Sequence, residues 1–158
     1  MTDASQTIAV GSDESTQLTH AVIAELGRRG YALTLHGALS KGDARWPVVA
    51  REVAEAVAGG AASQGVLFCW TGTGVSIAAN KVHGVRAALC ADAETARGAR
   101  MWNDANVLCL SLRNTAPAVA KEILDAWLAT GVDAGEAANI ALVRDVDTAD
   151  TLRGRIGT

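Results

Sequence analysis

Gly65-Val-Leu-Phe-Cys69-Trp-Thr-Gly-Thr-Gly74-Val-Ser-Ile-Ala-Ala-Asn80 is the stretch that decides the fold. Its first five residues are an apolar run bounded by turn residues, the pattern of a strand covered on both faces of a sheet. Thr71-Gly72-Thr73-Gly74 follows at once, and Val75 to Ala79 is a short apolar stretch with helical spacing that ends at Asn80-Lys81. Glycines between a parallel strand and a helix let backbone N–H groups point at one spot, where amides and the positive helix end can hold an oxyanion or phosphate. Cys69 falls at the lip of this nest. The same dipole and amides would acidify a thiol there and let it exchange a proton near neutral pH. Strand, glycine turn and helix recur throughout doubly wound proteins, and most cysteines are small core hydrophobes, so the segment alone leaves function open.

Outward from this segment the same alternation repeats. Thr7 to Gly11 is a short buried strand, and Ser12, Asp13 or Ser15 can cap the following helix, where Leu18, Val22, Ile23 and Leu26 form one stripe. Gly30 stops it, and Tyr31 to His36 is the second strand. After a polar loop, Pro47 suits the first turn of a helix running to about Ala58, with Val49, Val53 and Val57 on one face. Gly84 to Cys90 reads as a fourth strand, Ala93 to Trp102 as a helix, Asn106 to Leu112 as a fifth strand, and Ala116 to Ala129 as an amphipathic helix. This order predicts an α/β chain: a three-layer, Rossmann-like, doubly wound sheet of five parallel strands flanked by helices, joined by right-handed crossovers. Ligands of such sheets lie outside the carboxyl ends of the strands. That rim collects Ser12-Asp13-Glu14, the loop Asp43 to Trp46, the Cys69 nest, Asp92 and Arg113. Residues 130–158 read as a C-terminal tail with one short helix near Thr148 to Arg153, either packed on a partner subunit or partly frayed.

At 158 residues and 49% hydrophobic, residues 1–158 fit a single domain whose core lies at about residues 7–129. A net charge of −3 with mixed signs offers no basic stripe for nucleic acid and no polybasic anchor for a membrane. No apolar run approaches the ~18 residues of a spanning helix, and the polar start Met1 to Gln6 has no secretory h-region, so a cytoplasmic protein is expected. Cys69, Cys90 and Cys109 show no metal-ligand spacing and argue against disulfides or zinc. His20, His36 and His83 read as surface, rim or turn residues, and Arg97 and Arg100 as a solvated helix face, the alternative being that one of them reaches an anion across a dimer.

The segment CWTGTGVSIAANKVHGVRAALCADAETARGARMWNDANVLCLSLR, residues 69–113, resembles the core of the ribose-5-phosphate isomerase B and galactose-6-phosphate isomerase family. The resemblance extends to Gly11-Ser-Asp13 and Trp46-Pro47. T-G-x-G, S-I-A-A-N-K, G-x-R-A-A and N-D-A-N-V-L in this order are far more specific than any one piece. The resemblance implies aldose–ketose isomerisation of a small sugar or sugar phosphate through a cis-enediolate, with no metal and no cofactor, in a homodimer or a dimer of dimers. Along the match, Cys69 is the base, Thr71 helps proton movement, and Asp13 lies near the sugar hydroxyls. The other matched positions, read as substrate-binding, are Ser12, Glu14, Trp46, Trp70, Gly72, Thr73, Gly74, Ser76, Asn80, Trp102, Asn103 and Arg113. Gly72 to Gly74 match the hole for the enediolate. Asn103 matches a loop that closes over a neighbouring subunit's pocket.

The departures carry equal weight. Glu14 and Trp102 stand where the family has histidines, the latter the one credited with opening the furanose ring. Trp46 stands for tyrosine and Trp70 for glycine. Val132 to Asn139 lacks the arginines that hold phosphate in the family, while Arg113 matches one phosphate-side arginine, so the resemblance leaves one such ligand in place. Glu14 would repel a phosphate dianion, so weak affinity for phosphorylated sugars is expected, with ribose 5-phosphate binding weaker than micromolar in a calorimetric titration. The leading reading is therefore an isomerase for a linear or unphosphorylated substrate. Its alternatives are an ordinary ribose-5-phosphate isomerase and a non-catalytic sugar-binding or interaction module. Two structural expectations follow: Cys69 at a strand's carboxyl end beside a cleft, and Trp102 serving as pocket wall in the neighbouring subunit.

Overall fold

A computed structural model of the chain describes residues 7–156, and side chains through residue 148. Five strands, β1 (Thr7–Ser12), β2 (Ala32–Gly37), β3 (Gln64–Cys69), β4 (Ala87–Leu89) and β5 (Val107–Ser111), form one sheet in the order β2-β1-β3-β5-β4. Every pairing is parallel. The helices are α1 (Gln17–Arg28), α2 (Trp46–Ala58), α3 (Thr73–Ala79), α4 (Ala93–Asn103), α5 (Pro117–Ala129) and α6 (Ala137–Ile156). The doubly wound α/β reading is borne out.

Strand alternation sorts the core into two layers. Ile8, Val10, Val66, Phe68, Leu108 and Leu110 point to one face, where Leu18, Val22 and Leu26 of α1 and Ile123, Leu124 and Trp127 of α5 cover them. Ala9, Leu67, Cys69, Val107 and Cys109 point to the other, under the Val49, Val53 and Val57 stripe of α2 and Val75 and Ala79 of α3. The chain thus leaves neighbouring β1 and β3 toward opposite faces. That divergence opens a crevice at their carboxyl ends, the topological switch point where doubly wound sheets bind ligands.

Three expectations need correction. The fourth strand is Ala87–Leu89, shorter than Gly84 to Cys90, because Gly84 to Arg86 are taken up by a turn and by contacts to Asp104 and Asn106. Arg100 is not a solvated residue: its side chain is 15% exposed and its guanidinium lies 5.5 Å from the Trp127 ring centroid. The tail is no short helix near Thr148 but a 20-residue helix, α6, entered through a 3-10 turn at Ala134–Glu136 whose first amides are capped by Asp133. Of its described apolar residues only Ile140 is buried, while Leu142, Val143 and Val146 are exposed. Gly84 N–H donates to Asp147, which ties α6 to the body. Among the described residues no helix is long and apolar enough to cross a membrane.

Candidate active site

Cys69 is the last residue of β3 and lines a cleft of about 210 Å³ together with Asp13, Trp46, Trp70, Thr71, Thr73 and Gly74. Cys69 is 6% exposed, so it is nearly buried at the cleft wall. Local chemistry explains the shape. Gly72 caps α3 at φ 76, a left-handed backbone that suits glycine, and a Cβ there would sit 2.5 Å from Leu89 Cδ1 and 3.0 Å from the Leu110 carbonyl carbon. The turn therefore hugs β5 and brings Thr73 and Gly74 to the cleft. Their first-turn amides have no acceptor within the helix. The Thr71 and Thr73 hydroxyls are hydrogen-bonded to each other at 2.7 Å.

Trp46 opens α2, and its indole packs on the Gly74 backbone, where a Cβ would lie 3.2 Å from Trp46 Cε3. Trp70 is gripped from β5: its carbonyl accepts from Ser111 Oγ at 3.0 Å and from the Arg113 amide at 3.1 Å. Trp70 is 57% exposed, and the Arg113 guanidinium carbon lies over its ring, 5.8 Å from the centroid.

On the β1 side, buried Ser12 donates to the Glu14 carbonyl at 2.6 Å and accepts from the Glu14 amide, which fixes the turn that presents Asp13. Asp13 Oδ1 is buried without a hydrogen-bond partner among the described residues. Burial, and then the charge of Glu14, push the Asp13 carboxyl above the usual carboxylate range. An orphaned, desolvated carboxylate oxygen is a strong acceptor for a ligand hydroxyl. A raised folded-state pKa means that ionisation costs stability above that pKa, and that the cost vanishes as pH falls below the unfolded value. Asp13→Asn is therefore expected to raise the melting temperature at pH 7 and to leave it unchanged at pH 3. A fall at pH 7 would mean that the carboxylate is satisfied.

Not every expected residue gathers here. Asn80 lies beyond the end of α3 and spends its amide on β4, donating to the Ala87 carbonyl at 2.9 Å and accepting from the Ala87 amide at 2.8 Å. Ser76 lies one turn into α3, and its hydroxyl reaches Cys109. Trp102 is 54% exposed, with its ring folded over Gly98 of its own helix, and Asn103 lines a separate cavity with Asn80, Arg86 and Val143. Sequence reading missed a brace made by the same motifs. Arg86 Nε donates to the Asp104 carbonyl at 2.7 Å and Nη2 to the Asp104 carboxylate at 3.2 Å, while Asn106 accepts from the Arg86 amide at 2.8 Å. This brace holds Asp104 at φ 48 and so fixes the exit from α4. No sequence pattern announces it, since its members are 18 to 20 residues apart.

Comparison with known proteins gives the family. Residues 8–143 match the sequence model of the Ribose/Galactose Isomerase family. The chain is 41% identical over 129 residues to ribose-5-phosphate isomerase B of Escherichia coli, covering 81% of this chain and 87% of that one. It is 38% identical over 133 residues to D-erythrulose-4-phosphate isomerase of Pectobacterium atrosepticum, covering 83% and 88%. The solved ribose-5-phosphate isomerase B of Clostridium thermocellum superposes with a TM-score of 0.83 at 34% identity, over 90% of this chain and 98% of that one. The chain belongs to the ribose/galactose isomerase family and is an aldose–ketose isomerase.

Proposed function

We propose that this chain interconverts a small open-chain aldose phosphate and its ketose through a cis-enediolate, without a metal, using Cys69 as the base; the relatives named for sugar phosphates favour a phosphorylated substrate over the unphosphorylated one expected from Glu14. The observation that carries this reading is Cys69 at the floor of a cleft shared with Asp13, Thr71 and the first turn of α3. The Cys69 thiolate takes the proton from the hydroxyl-bearing carbon beside the carbonyl, and negative charge develops on the carbonyl oxygen. The amides of Thr73 and Gly74 stabilise that charge. The Thr71 and Thr73 hydroxyls carry a proton between the two enediolate oxygens, and the Cys69 thiol returns its proton to the neighbouring carbon. Asp13 accepts from a substrate hydroxyl. Trp46 and Trp70 cover the sugar's C–H face and keep water from the intermediate.

The open-chain preference rests on Trp102. An indole N–H only donates, so it cannot shuttle the protons that ring opening requires. D-Erythrulose 4-phosphate, the namesake substrate of the Pectobacterium relative, is a four-carbon 2-ketose too short to close a furanose, and in the matching aldose the oxygen that would close one is esterified. Its kcat/KM is expected to exceed that of D-ribose 5-phosphate by about tenfold or more. Identity to the Escherichia coli enzyme favours the second reading, an ordinary ribose-5-phosphate isomerase. A higher kcat/KM for ribose 5-phosphate would establish that reading instead.

We further infer that the working site is shared between two copies. α4 runs back from the carboxyl rim, so Trp102 and Asn103 lie near the amino ends of the strands, away from their own cleft. The exposed Trp102 indole suits the wall of a second copy's pocket, and exposed Leu142, Val143 and Val146 offer further apolar surface for association. Three free thiols fit work in the reducing cytoplasm.

A further inference from the structure

We propose that Trp70 is a specificity-determining residue whose indole closes the β5 side of the cleft and limits the substrate to a chain of at most four carbons. The inference rests on the isomerase reading above and names what selects its substrate by length. The cleft is small: about 210 Å³, below the ~300–1,000 Å³ of ordinary small-molecule pockets. Trp46 and Trp70 are the large side chains among its lining residues, so their indoles set how much of it a ligand can use.

The sheet order says which way a longer substrate would have to grow. Cys69 ends β3 and lines the cleft, with β1 on one side of that strand and β5 on the other. Asp13, just past β1, bounds the first side, and Trp70, bonded to β5, bounds the second. Two strand spacings, about 10 Å, separate β1 from β5, and the indole takes up part of that width. Trp46 packs on the Gly74 backbone and bars the α3 side. A substrate with its reacting carbons over Cys69 and the amides of Thr73 and Gly74, and a hydroxyl on Asp13, has only the β5 side for its remaining carbons. There it meets Trp70.

That wall is fixed at its base. The carbonyls of Cys69 and Trp70 accept from the amides of Leu112 and Arg113 at 3.0 and 3.1 Å, and Ser111 Oγ donates to the Trp70 carbonyl at 3.0 Å. The backbone under the indole thus belongs to the join between β3 and β5 and does not retreat to admit another carbon. Swinging the ring aside would break its contact with the Arg113 guanidinium. One more hydroxymethylene group therefore displaces the indole or lifts the reacting carbons off Cys69, and a misfit of one methylene is worth about 10- to 200-fold in specificity.

The test compares D-erythrulose 4-phosphate with D-ribulose 5-phosphate in steady-state kinetics of the full-length protein. The two differ by one hydroxymethylene group and neither closes a furanose, the first being too short and the second having the closing oxygen esterified, so length is read apart from ring opening. The unmodified protein is expected to prefer the four-carbon ketose by about tenfold or more in kcat/KM. Trp70→Ala, a change at an exposed residue outside the core, should remove most of that preference through a gain on D-ribulose 5-phosphate, and Trp70→Phe should keep most of it. The ratio cancels any loss that both substrates share, such as poorer exclusion of water. Calorimetric titration with erythritol 4-phosphate and ribitol 5-phosphate, which lack a carbonyl and cannot isomerise, should give the same order of affinity and the same response to Trp70→Ala. Equal kcat/KM for the two ketoses in the unmodified protein, or a preference unchanged in Trp70→Ala, would overturn the proposal. Length selection between the two polyol phosphates in a protein that isomerises no sugar would leave the Trp70 wall standing and remove the isomerase reading instead.

Discussion

Cys69→Ser is expected to lower kcat about a thousandfold, within the range of a lost general base, while KM changes little. The hydroxyl is close in size to the thiol, so the cleft keeps its shape. What is lost is sulfur as the proton acceptor: a hydroxyl is a far weaker acid than a thiol and supplies no comparable base for a proton on carbon. Cys69 is 6% exposed at the end of β3, and melting temperatures will separate a chemical loss from a folding one. A Cys69→Ser protein with most of its kcat would assign the thiol to core packing beside Leu67 and Val75, and the base would have to be sought elsewhere.

Trp127→Ala is expected to be the most destabilising of the tryptophan substitutions. Trp127 is 1% exposed, its Nε1 donates to Gln64 Oε1 at 2.6 Å, and the Arg100 guanidinium lies over its ring. Removing a buried indole costs about 3–5 kcal/mol. For a chain of this size that corresponds to a fall in melting temperature of about 6–20 °C. Gln64 and the half-buried Arg100, whose Nε already lacks a partner among the described residues, would lose the ring that orders them. Trp46→Phe, Trp70→Phe and Trp102→Phe are each expected to stay within about 0.5 kcal/mol, because these three indoles are exposed in the single chain. Urea denaturation of the four variants gives the ranking. A Trp127→Ala protein as stable as the others would contradict the packing described for α5.

The sheet and its helices were legible because each signal was local. An apolar run between turn residues marks β3, and valines at 49, 53 and 57 mark α2. The site was legible where it follows the chain, from Cys69 through Gly74, and where the switch point brings Asp13 beside it. The tail was illegible for a physical reason. Of the described apolar residues of α6 only Ile140 is buried, so the periodic stripe that reveals a packed helix is missing, although alanine-rich sequence such as Ala137, Ala138 and Ala141 favours helix. The sorting of tryptophans was equally hidden. Composition counts four indoles, but only the fold shows that Trp127 fills the core while Trp46 and Trp70 line the cleft. The brace of Arg86, Asp104 and Asn106 escaped because its residues meet only after β4 and β5 have paired. Asn80, read as a substrate ligand, proved to be tied to Ala87 for the same reason.

Aldose–ketose interconversion by carbon-to-carbon proton transfer leaves a direct trace, hydrogen exchange at the substrate's carbon. The unmodified protein is incubated with D-erythrulose 4-phosphate in deuterium oxide, and the substrate and product pools are followed by proton NMR. The expected result is aldose product together with deuterium at the carbon beside the carbonyl, both abolished in Cys69→Ser. Product formed in the unmodified protein while Cys69→Ser retains the exchange would contradict the assignment of the base, and the absence of both exchange and product with every sugar phosphate offered would contradict the function.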